Sequence, residues 1–318
     1  MVTVERSKQS NHSRLVLAAW VILVDVCLAH AQTVRVPGTG VSMIPPSGFS
    51  VAKDFPGFEN VELQSSIVVT EVAVPSVAIQ SGMTTEGLAS KGMALLGSKR
   101  ITIGGKEALL LAVTQKVGDT EWRKWMLVGG DDKRTVMIGA TFPPVAVKTL
   151  NQPVVRSLLT ASWGTESAPD VFEGLLYRVS PSPRLKIAGR MTNVLMLNES
   201  GSMPPSDPDQ AFYVVGNSLG KVDVADLKAL SEQRARHADT IRDLRNLVWS
   251  ATQLDGLQAY EIVADATDVK TGTHTKFYQV LASDGAGYFL VQGFVIAERA
   301  SEMLQEFRRV TATFRRVQ

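Results

Sequence analysis

The string Gly216-Asn-Ser-Leu-Gly220 has the spacing of a nucleophile elbow, in which a strand-to-helix turn lifts a serine hydroxyl toward substrate. It follows the apolar, strand-like Ala211-Phe-Tyr-Val-Val215. Asp265 or Asp268, then His274, would complete the order serine, acid, histidine. Four features oppose this chemistry. The next helix is expected from Asp223, so Ser218 would miss its first turn. The neighbouring strands read as antiparallel, whereas the elbow belongs to a mostly parallel sheet. His274 lies in the polar hairpin tip Thr271-Gly-Thr-His-Thr275. The corresponding stretch of the first half, around Val74-Pro-Ser-Val77, has no such string. Ser218 is therefore expected in a glycine-bounded turn, with catalysis by Ser218 and His274 as the minor alternative.

No metal or cofactor is expected. His237 and Asp239 are two apart, so on a helix they point in different directions. Asp131-Asp132 reads as a hairpin turn, since a calcium loop needs more oxygen ligands at regular spacing. Gly38-Thr-Gly40 lacks the strand–helix context of a dinucleotide site, and Gly104-Gly105 reads as a turn needing positive φ. Glu121-Trp-Arg-Lys-Trp125 mixes aromatics and cations: on a strand, Trp122 and Lys124 share one face, and Trp125 turns to the core. Trp122 and Lys124 are interface candidates, as are Arg308 and Arg315 on the outer face of the closing helix. Those arginines suit a protein partner or, with less support, an anionic membrane surface; a solvated face is the commoner role.

The elements that must position these residues belong to a chain of 318 residues with 33 basic and 31 acidic side chains, a formal charge of +2. That balance gives no field for nucleic acid. A single cysteine excludes a disulfide framework. Arg6, Lys8 and Arg14 precede an apolar run, Leu15 to Ala29, that closes on Ala29-His30-Ala31. This is the order of a secretory signal peptide over 1–31, too short for a comfortable span. Whether it is cleaved or retained stays open. Cys27 is a poor lipid-attachment site because Asp25 precedes it. The protein is expected to be exported, to a periplasm or the extracellular space.

The rest reads as an internal repeat. Gly105-Lys-Glu-Ala108 returns as Gly256-Leu-Gln-Ala259, and Leu159-Thr-Ala-Ser-Trp163 as Val310-Thr-Ala-Thr-Phe314, each 151 residues on. Met137-Ile-Gly-Ala-Thr141 aligns with Val291-Gln-Gly-Phe-Val295 at 154, as if a hairpin gained three residues that were later recovered. The expected domains are 32–166 and 167–318, joined near Gly164–Asp170, with a mobile insertion at Asn198–Gln210. Strands are expected at Glu107–Lys116, Glu121–Val128 and Arg134–Phe142, and again over Tyr260–Ala266, Lys276–Ala282 and Tyr288–Val295. Helices are expected around Leu88–Leu96, from Asn151 with Leu158, Leu159 and Trp163 facing the sheet, from Asp223, and over Ala300–Phe314. The fold class is α+β: two tandem helix–sheet–helix sandwiches, each on an antiparallel sheet.

Pro45-Pro46-Ser47-Gly48-Phe49, the turn Ile103-Gly104-Gly105-Lys106-Glu107-Ala108 and a closing helix with a small–aromatic ending resemble the PsbP-like fold, which includes Mog-type and DcrB-like proteins. The resemblance covers nearly all of 32–166; the second half lacks the Pro-Pro opening. It implies a sandwich of the kind just read, and proteins that bind partners or assist assembly at an envelope rather than catalyse. The leading functional expectation is an exported, non-enzymatic binding or envelope-assembly protein with a groove between its halves or two similar sheet surfaces. A secreted serine hydrolase using Ser218 and a small-ligand carrier are the alternatives.

Overall fold

In the computed structural model the described residues are 32–164, 170–207 and 209–317; the leader read over 1–31 lies outside them. Two seven-stranded antiparallel sheets carry the chain. The first holds β1 (Ser50–Val51), β2 (Gly57–Asn60), β3 (Ser65–Val72), β4 (Met93–Ile103), β5 (Lys106–Val117), β6 (Thr120–Gly130) and β7 (Thr135–Phe142). Its order is β1-β2-β3-β7-β6-β5-β4. The second holds β8 (Lys186–Met191), β9 (Val194–Asn198), β10 (Phe212–Asn217), β11 (Ile241–Leu254), β12 (Leu257–Asp268), β13 (His274–Ser283) and β14 (Tyr288–Ile296). Its order, β8-β9-β10-β14-β13-β12-β11, repeats the first strand for strand.

Both sheets are covered on two sides. In the first, α3 (Val147–Leu158) buries Leu150, Val154 and Leu158 against Leu110, Leu127, Ile138 and Phe142. The opposite face packs Leu111, Val113 and Val128 under the short helices α1 (Ser76–Ser81) and α2 (Thr85–Ala89). In the second, α5 (Ala300–Ala312) inserts Met303, Phe307 and Val310 above Tyr213, Tyr278 and Val291. There α4 (Leu227–Arg236) covers Ile262, Ala264, Ala266 and Phe277. The fold is α+β, and each sheet is a helix–sheet–helix sandwich. Successive side chains of a strand point to opposite faces, so the largely apolar inner strands feed both cores, as Leu110 and Leu111 do.

Several local expectations are corrected. The stretch Met93–Ile103 is strand, so Leu95 and Leu96 do not continue a helix; Gly92, at φ 70°, turns the chain after α2. α3 begins at Val147, four residues before Asn151, because Pro143-Pro144 starts a 3-10 turn that leads into it. Pro153 is therefore inside the helix and deprives the Thr149 carbonyl of its usual donor. Leu159 does not face the sheet: it is 47% exposed, while Leu158 and Trp163 are buried. The cap of α4 is Asp226, whose carboxylate accepts from Ala229 N at 2.9 Å, and Asp223 lies in the preceding loop. His237 ends α4, and Asp239 follows in a turn. The loop from Asn198 to Gln210 is tied at both ends, Ala211 N donating to Glu199 at 2.7 Å and Ser200 N to Gln210 at 2.8 Å.

Strand registers also revise the repeat. The β4–β5 turn pairs Ile103 with Lys106, and the β11–β12 turn pairs Leu254 with Leu257, 151 residues on. The β6–β7 turn pairs Gly130 with Thr135, and the β13–β14 turn pairs Ser283 with Tyr288, 153 residues on. α3 and α5 start 153 apart as well. Two residues are thus gained in the β12–β13 hairpin and never recovered. The match of Leu159 to Val310 fails, because Val310 is buried and Leu159 is exposed. The match of Gly139 to Gly293 fails by one residue, and the pleat turns that error into opposite faces: Gly139 pairs with Met126, Gly293 with Tyr278 under α5.

Gly293 instead corresponds to Ala140, and Phe307 to Val154. A Cβ on Gly293 would lie 2.7 Å from the Phe307 ring, so the larger helix residue requires the smaller strand residue. Gly293→Ala is expected to cost about 1–3 kcal/mol in urea denaturation through overpacking. Adding Phe307→Leu should recover much of that loss, a coupling that a double-mutant cycle measures.

Candidate functional site

The first half reaches the second through the turn at Pro37–Gly40, which joins two short strands, Val34–Arg35 and Val41–Met43. Thr39 fastens the turn, its hydroxyl donating to Val36 O at 2.9 Å and accepting from Val41 N at 3.1 Å. Gly38, at φ 73°, lies against the second half: a Cβ there would sit 2.4 Å from both Arg190 Nη1 and Glu173 O. Only glycine fits that backbone and that approach.

Arg190, near the end of β8, uses this space. Its Nε donates to Thr192 O and its Nη1 to Glu173 O and Val171 O. Its Nη2 is buried and has no hydrogen-bond partner among the described residues. Burial penalises the charge and pushes the Arg190 guanidinium below its ordinary pKa. Three further contacts join the halves. Arg35 grips Glu173 through two parallel bonds of 2.6 and 2.8 Å, Thr70 Oγ1 meets Thr192 Oγ1 at 2.7 Å, and Asn217 Nδ2 donates to Asp54 O at 3.1 Å. Thr192 has φ 55°, a left-handed conformation that strains a β-branched residue.

A cleft of about 280 Å³ opens beside this junction. Pro56, Val69, Val72 and Val171 supply apolar wall. Its charged lining is Glu71, Lys133, Arg134 and Arg190, three cations against one carboxylate. The β6–β7 turn places two of them: Asp131 Oδ1 accepts from Lys133 N at 3.0 Å and Arg134 N at 2.9 Å. Those backbone bonds, led by the one from Lys133, hold the Asp131 carboxyl below its usual range. Arg134 lies 3.2 Å from Glu71 and donates to Gly164 O at 2.6 Å. Glu71 Oε2 also accepts from Gly40 N at 2.9 Å, while Oε1, the oxygen nearest Arg134, is buried with no hydrogen bond among the described residues. The cleft thus combines a cationic excess with an apolar wall.

The residues singled out in the sequence lie elsewhere. Ser218 follows β10, with its N donating to Tyr288 O at 2.9 Å and its hydroxyl to Gly220 O at 3.0 Å. His274 starts β13, whose far end, Ser283, pairs with Tyr288. Nine residues of strand separate the two sites, about 30 Å. Asp265 pairs with Lys276 and Asn246, and Asp268 closes its own turn through Lys270 N and Thr271 N, so neither orients His274.

Trp122 and Lys124 share the α1–α2 face of the first sheet, and burial lowers the Lys124 pKa. Trp125 turns the other way and donates to Asn151 at 2.8 Å. Arg308 is engaged by Glu261 at 2.6 Å, and Arg315 lies 4.0 Å from Asp255. Among the described residues no ion pair or hydrogen bond joins the Trp122–Lys124 pair to the Arg308–Arg315 pair. Sequence reasoning missed Glu71, Arg134 and Arg190; the one available signal was Gly38-Thr-Gly40, a glycine pair with no phosphate context.

No family model and no curated protein match the sequence. Solved structures do show similarity. Cyanobacterial PsbP (CyanoP) from Synechocystis sp. PCC 6803 is 15% identical over 42% of this chain and 92% of its own, with a TM-score of 0.33. LpqN of Mycobacterium tuberculosis, involved in cell envelope biogenesis, is 12% identical over 43% of this chain and 81% of its own, with a TM-score of 0.30. The T6SS immunity protein TplEi of Pseudomonas aeruginosa is 9% identical over 89% of this chain and 96% of its own, also at 0.30. At this level of similarity none of them lends its function to this chain.

Gly38→Ala should destabilise the protein by about 2 kcal/mol or more, read by denaturant titration, since it combines a positive φ with a backbone clash. The Arg35 hydrogen bond holds Glu173 below its ordinary value of 4.5. A carboxyl depressed in the folded state stabilises fully above its unfolded pKa, and that stabilisation is lost as pH falls through the folded one. The gap in thermal midpoint between wild type and Glu173→Gln should therefore be constant above about pH 5 and shrink on acidification below it.

Proposed function

We propose that the chain is an exported, non-enzymatic binding protein, a tandem duplication of a PsbP-like sandwich, whose binding site is the cleft where the two copies meet. On this reading the two copies are 32–166 and 167–318. Duplication is supported by the repeated strand order and by the spacing of 153 shared by the β6–β7 and β13–β14 turns and by the starts of α3 and α5. Export is supported by the composition of residues 1–31. The observation that carries the binding role is the cleft itself, with apolar wall from Pro56, Val69, Val72 and Val171 and the charged side chains Glu71, Lys133, Arg134 and Arg190 in its lining. A mostly apolar concavity with a few convergent polar groups is the usual form of a ligand site.

A protein partner is the second reading. It is favoured by Trp122, Lys124 and Met126, a half-buried row on the α1–α2 face of the first sheet, because tryptophan is enriched at interface centres. The hydrolase reading is disfavoured by the two bonds that commit the Ser218 hydroxyl to its turn.

Ala73, exposed at the cleft rim, is the site for a blocking Ala73→Trp substitution. Native mass spectrometry of protein recovered from its own exported compartment should find a retained small molecule on wild type and none on Ala73→Trp. Equal retention by both, or retention by neither, goes against the cleft as the binding site. A fluorophosphonate probe should label wild type and Ser218→Ala alike; labelling lost in the variant would restore the hydrolase.

A further inference from the structure

The outer strand of a sheet leaves every second N–H and C=O unpaired, and folded chains guard such edges with charge, bulges or brevity. Among the described residues the two seven-stranded sheets end in β1, β4, β8 and β11. β1 is two residues long. β8 is bulged between Ile187 and Gly189 and carries Lys186 and Arg190. β4 is bulged between Leu95 and Gly97 and carries Lys99 and Arg100 along its regular part. β11 is guarded only at its beginning, where two bulges and the charges Arg242, Asp243 and Arg245 interrupt it. From Val248 to Leu254 it runs in regular register without a charge, a proline or a glycine. Val248 is 62% exposed there, and Ser250, Ala251, Thr252 and Gln253 are all exposed.

We propose that Val248–Gln253 pairs antiparallel with the same strand of a second copy of this chain, about a two-fold axis through Ser250. The two sheets themselves point to this strand. Lys99 lies four residues before the turn residue Ile103, and Ser250 lies four before the turn residue Leu254; Arg100 and Ala251 follow them. The same ladder positions thus hold two cations in the first sheet and two small uncharged residues in the second. Self-pairing selects the occupant. Trp249 pairs with Ile262 on the α4 face, and Val248 with Val263 on the α5 face. Centred on Ser250, the two-fold sets Trp249 opposite the second copy's Ala251, large against small. It sets Val248 opposite the second copy's Thr252, two β-branched side chains that pack well across strands.

Both covering helices are set back from this edge. α4 rests on Ile262, Ala264 and Ala266 of β12 and Phe277 of β13, and α5 on Tyr213, Tyr278 and Val291 further in. Glu261, which faces Ser250 from β12, is held by Arg308 at 2.6 Å, so it brings no unpaired charge to the contact. No like charges fall opposite one another within the paired stretch. The contact is also closed. A two-fold uses the unguarded stretch of both copies at once, and the edges left over are the guarded ones, so assembly stops at a dimer rather than continuing as a fibre. A strand of another protein would meet the same backbone groups, but the large-to-small and β-branched matches belong to this sequence paired with itself.

The test is sedimentation velocity of the full chain from about 5 to about 500 µM, because a single-strand contact is smaller than a standard interface and exchanges with free monomer. Wild type should pass from monomer to dimer across that range, and the amides of 248–253 should gain hydrogen-exchange protection as it does. Ser250→Lys gives this edge the guard that Lys99 gives the first sheet and sets two like charges at the axis. It should weaken dimerisation about three- to tenfold, and Ser250→Glu should do the same. An equimolar mixture of the two variants should dimerise again, since opposite charges then meet at the axis; that recovery separates a lost contact from a lost fold. Wild type that stays monomeric at about 500 µM would overturn the proposal and leave the edge to a strand of another protein. Variants that dimerise as wild type does, or a mixture that does not recover, would overturn it as well.

Discussion

The arrangement of the two sandwiches depends on one guanidinium held against one glycine. Arg190 binds backbone carbonyls of Val171, Glu173 and Thr192, and so fixes the start of the second half to the β8–β9 turn. The turn of the first half can lie on that guanidinium only because Gly38 has no Cβ. Hydrogen bonds to a charged donor are worth about 1.5–3 kcal/mol each, and desolvation of the cation offsets part of that. What remains is geometric specificity: carbonyls converging on a planar donor admit little rotation. The cleft, the Arg35–Glu173 pair and the Thr70–Thr192 contact all lie around that docking point.

Within each half the organising constraint is volume. The same position in the sheet is Ala140 under Val154 in the first half and Gly293 under Phe307 in the second. Around the larger ring the second core arranges Tyr213 and Tyr278, whose hydroxyls both meet Thr311 Oγ1, at 2.7 and 3.1 Å. Burial raises the pKa of both tyrosines, so they stay neutral across the physiological range. A shared backbone plan is thus filled by different side chains, each compensated locally. This is why the helices and strands keep their spacing while the core identities diverge.

Much of the architecture was legible because alternation is a strong local signal. Tyr260 to Ala266, with Ile262, Ala264 and Ala266 buried, reads as a strand from sequence and is one. Helix bounds were less legible where turn chemistry competes with periodicity. Pro143-Pro144 sets the start of α3, and Gly92 turns the chain after α2, so the leucines that follow extend as strand. The register error had a different source. Similar residues, Gly139 and Gly293, attract an alignment, but a one-residue slip carries no penalty in a string and inverts every side chain in a sheet. The cleft was the least legible part. Glu71, Arg134 and Arg190 are single charges on separate strands and turns, and nothing local says that tertiary packing will gather them. Gly38 was visible as a glycine, but the group that requires it is Arg190, far along the chain.

The G-x-S-x-G string makes the converse point. Each of its parts has a structural requirement that has nothing to do with catalysis. Gly216 lies where a Cβ would come 3.1 Å from Val194, and Gly220 has φ 87°. Between them Ser218 donates to Gly220 O and accepts from Tyr288 N at 3.3 Å, closing the chain as it leaves β10. Gly287 must in turn be glycine, because a Cβ there would lie 2.5 Å from the serine hydroxyl. A nucleophile elbow exposes its hydroxyl; this turn is 8% exposed at Ser218 and encloses it between two backbones. The same five residue types therefore serve opposite ends, and the distinction lies in whether the helix starts at the serine, as in an elbow, or only at Leu227, as α4 does here.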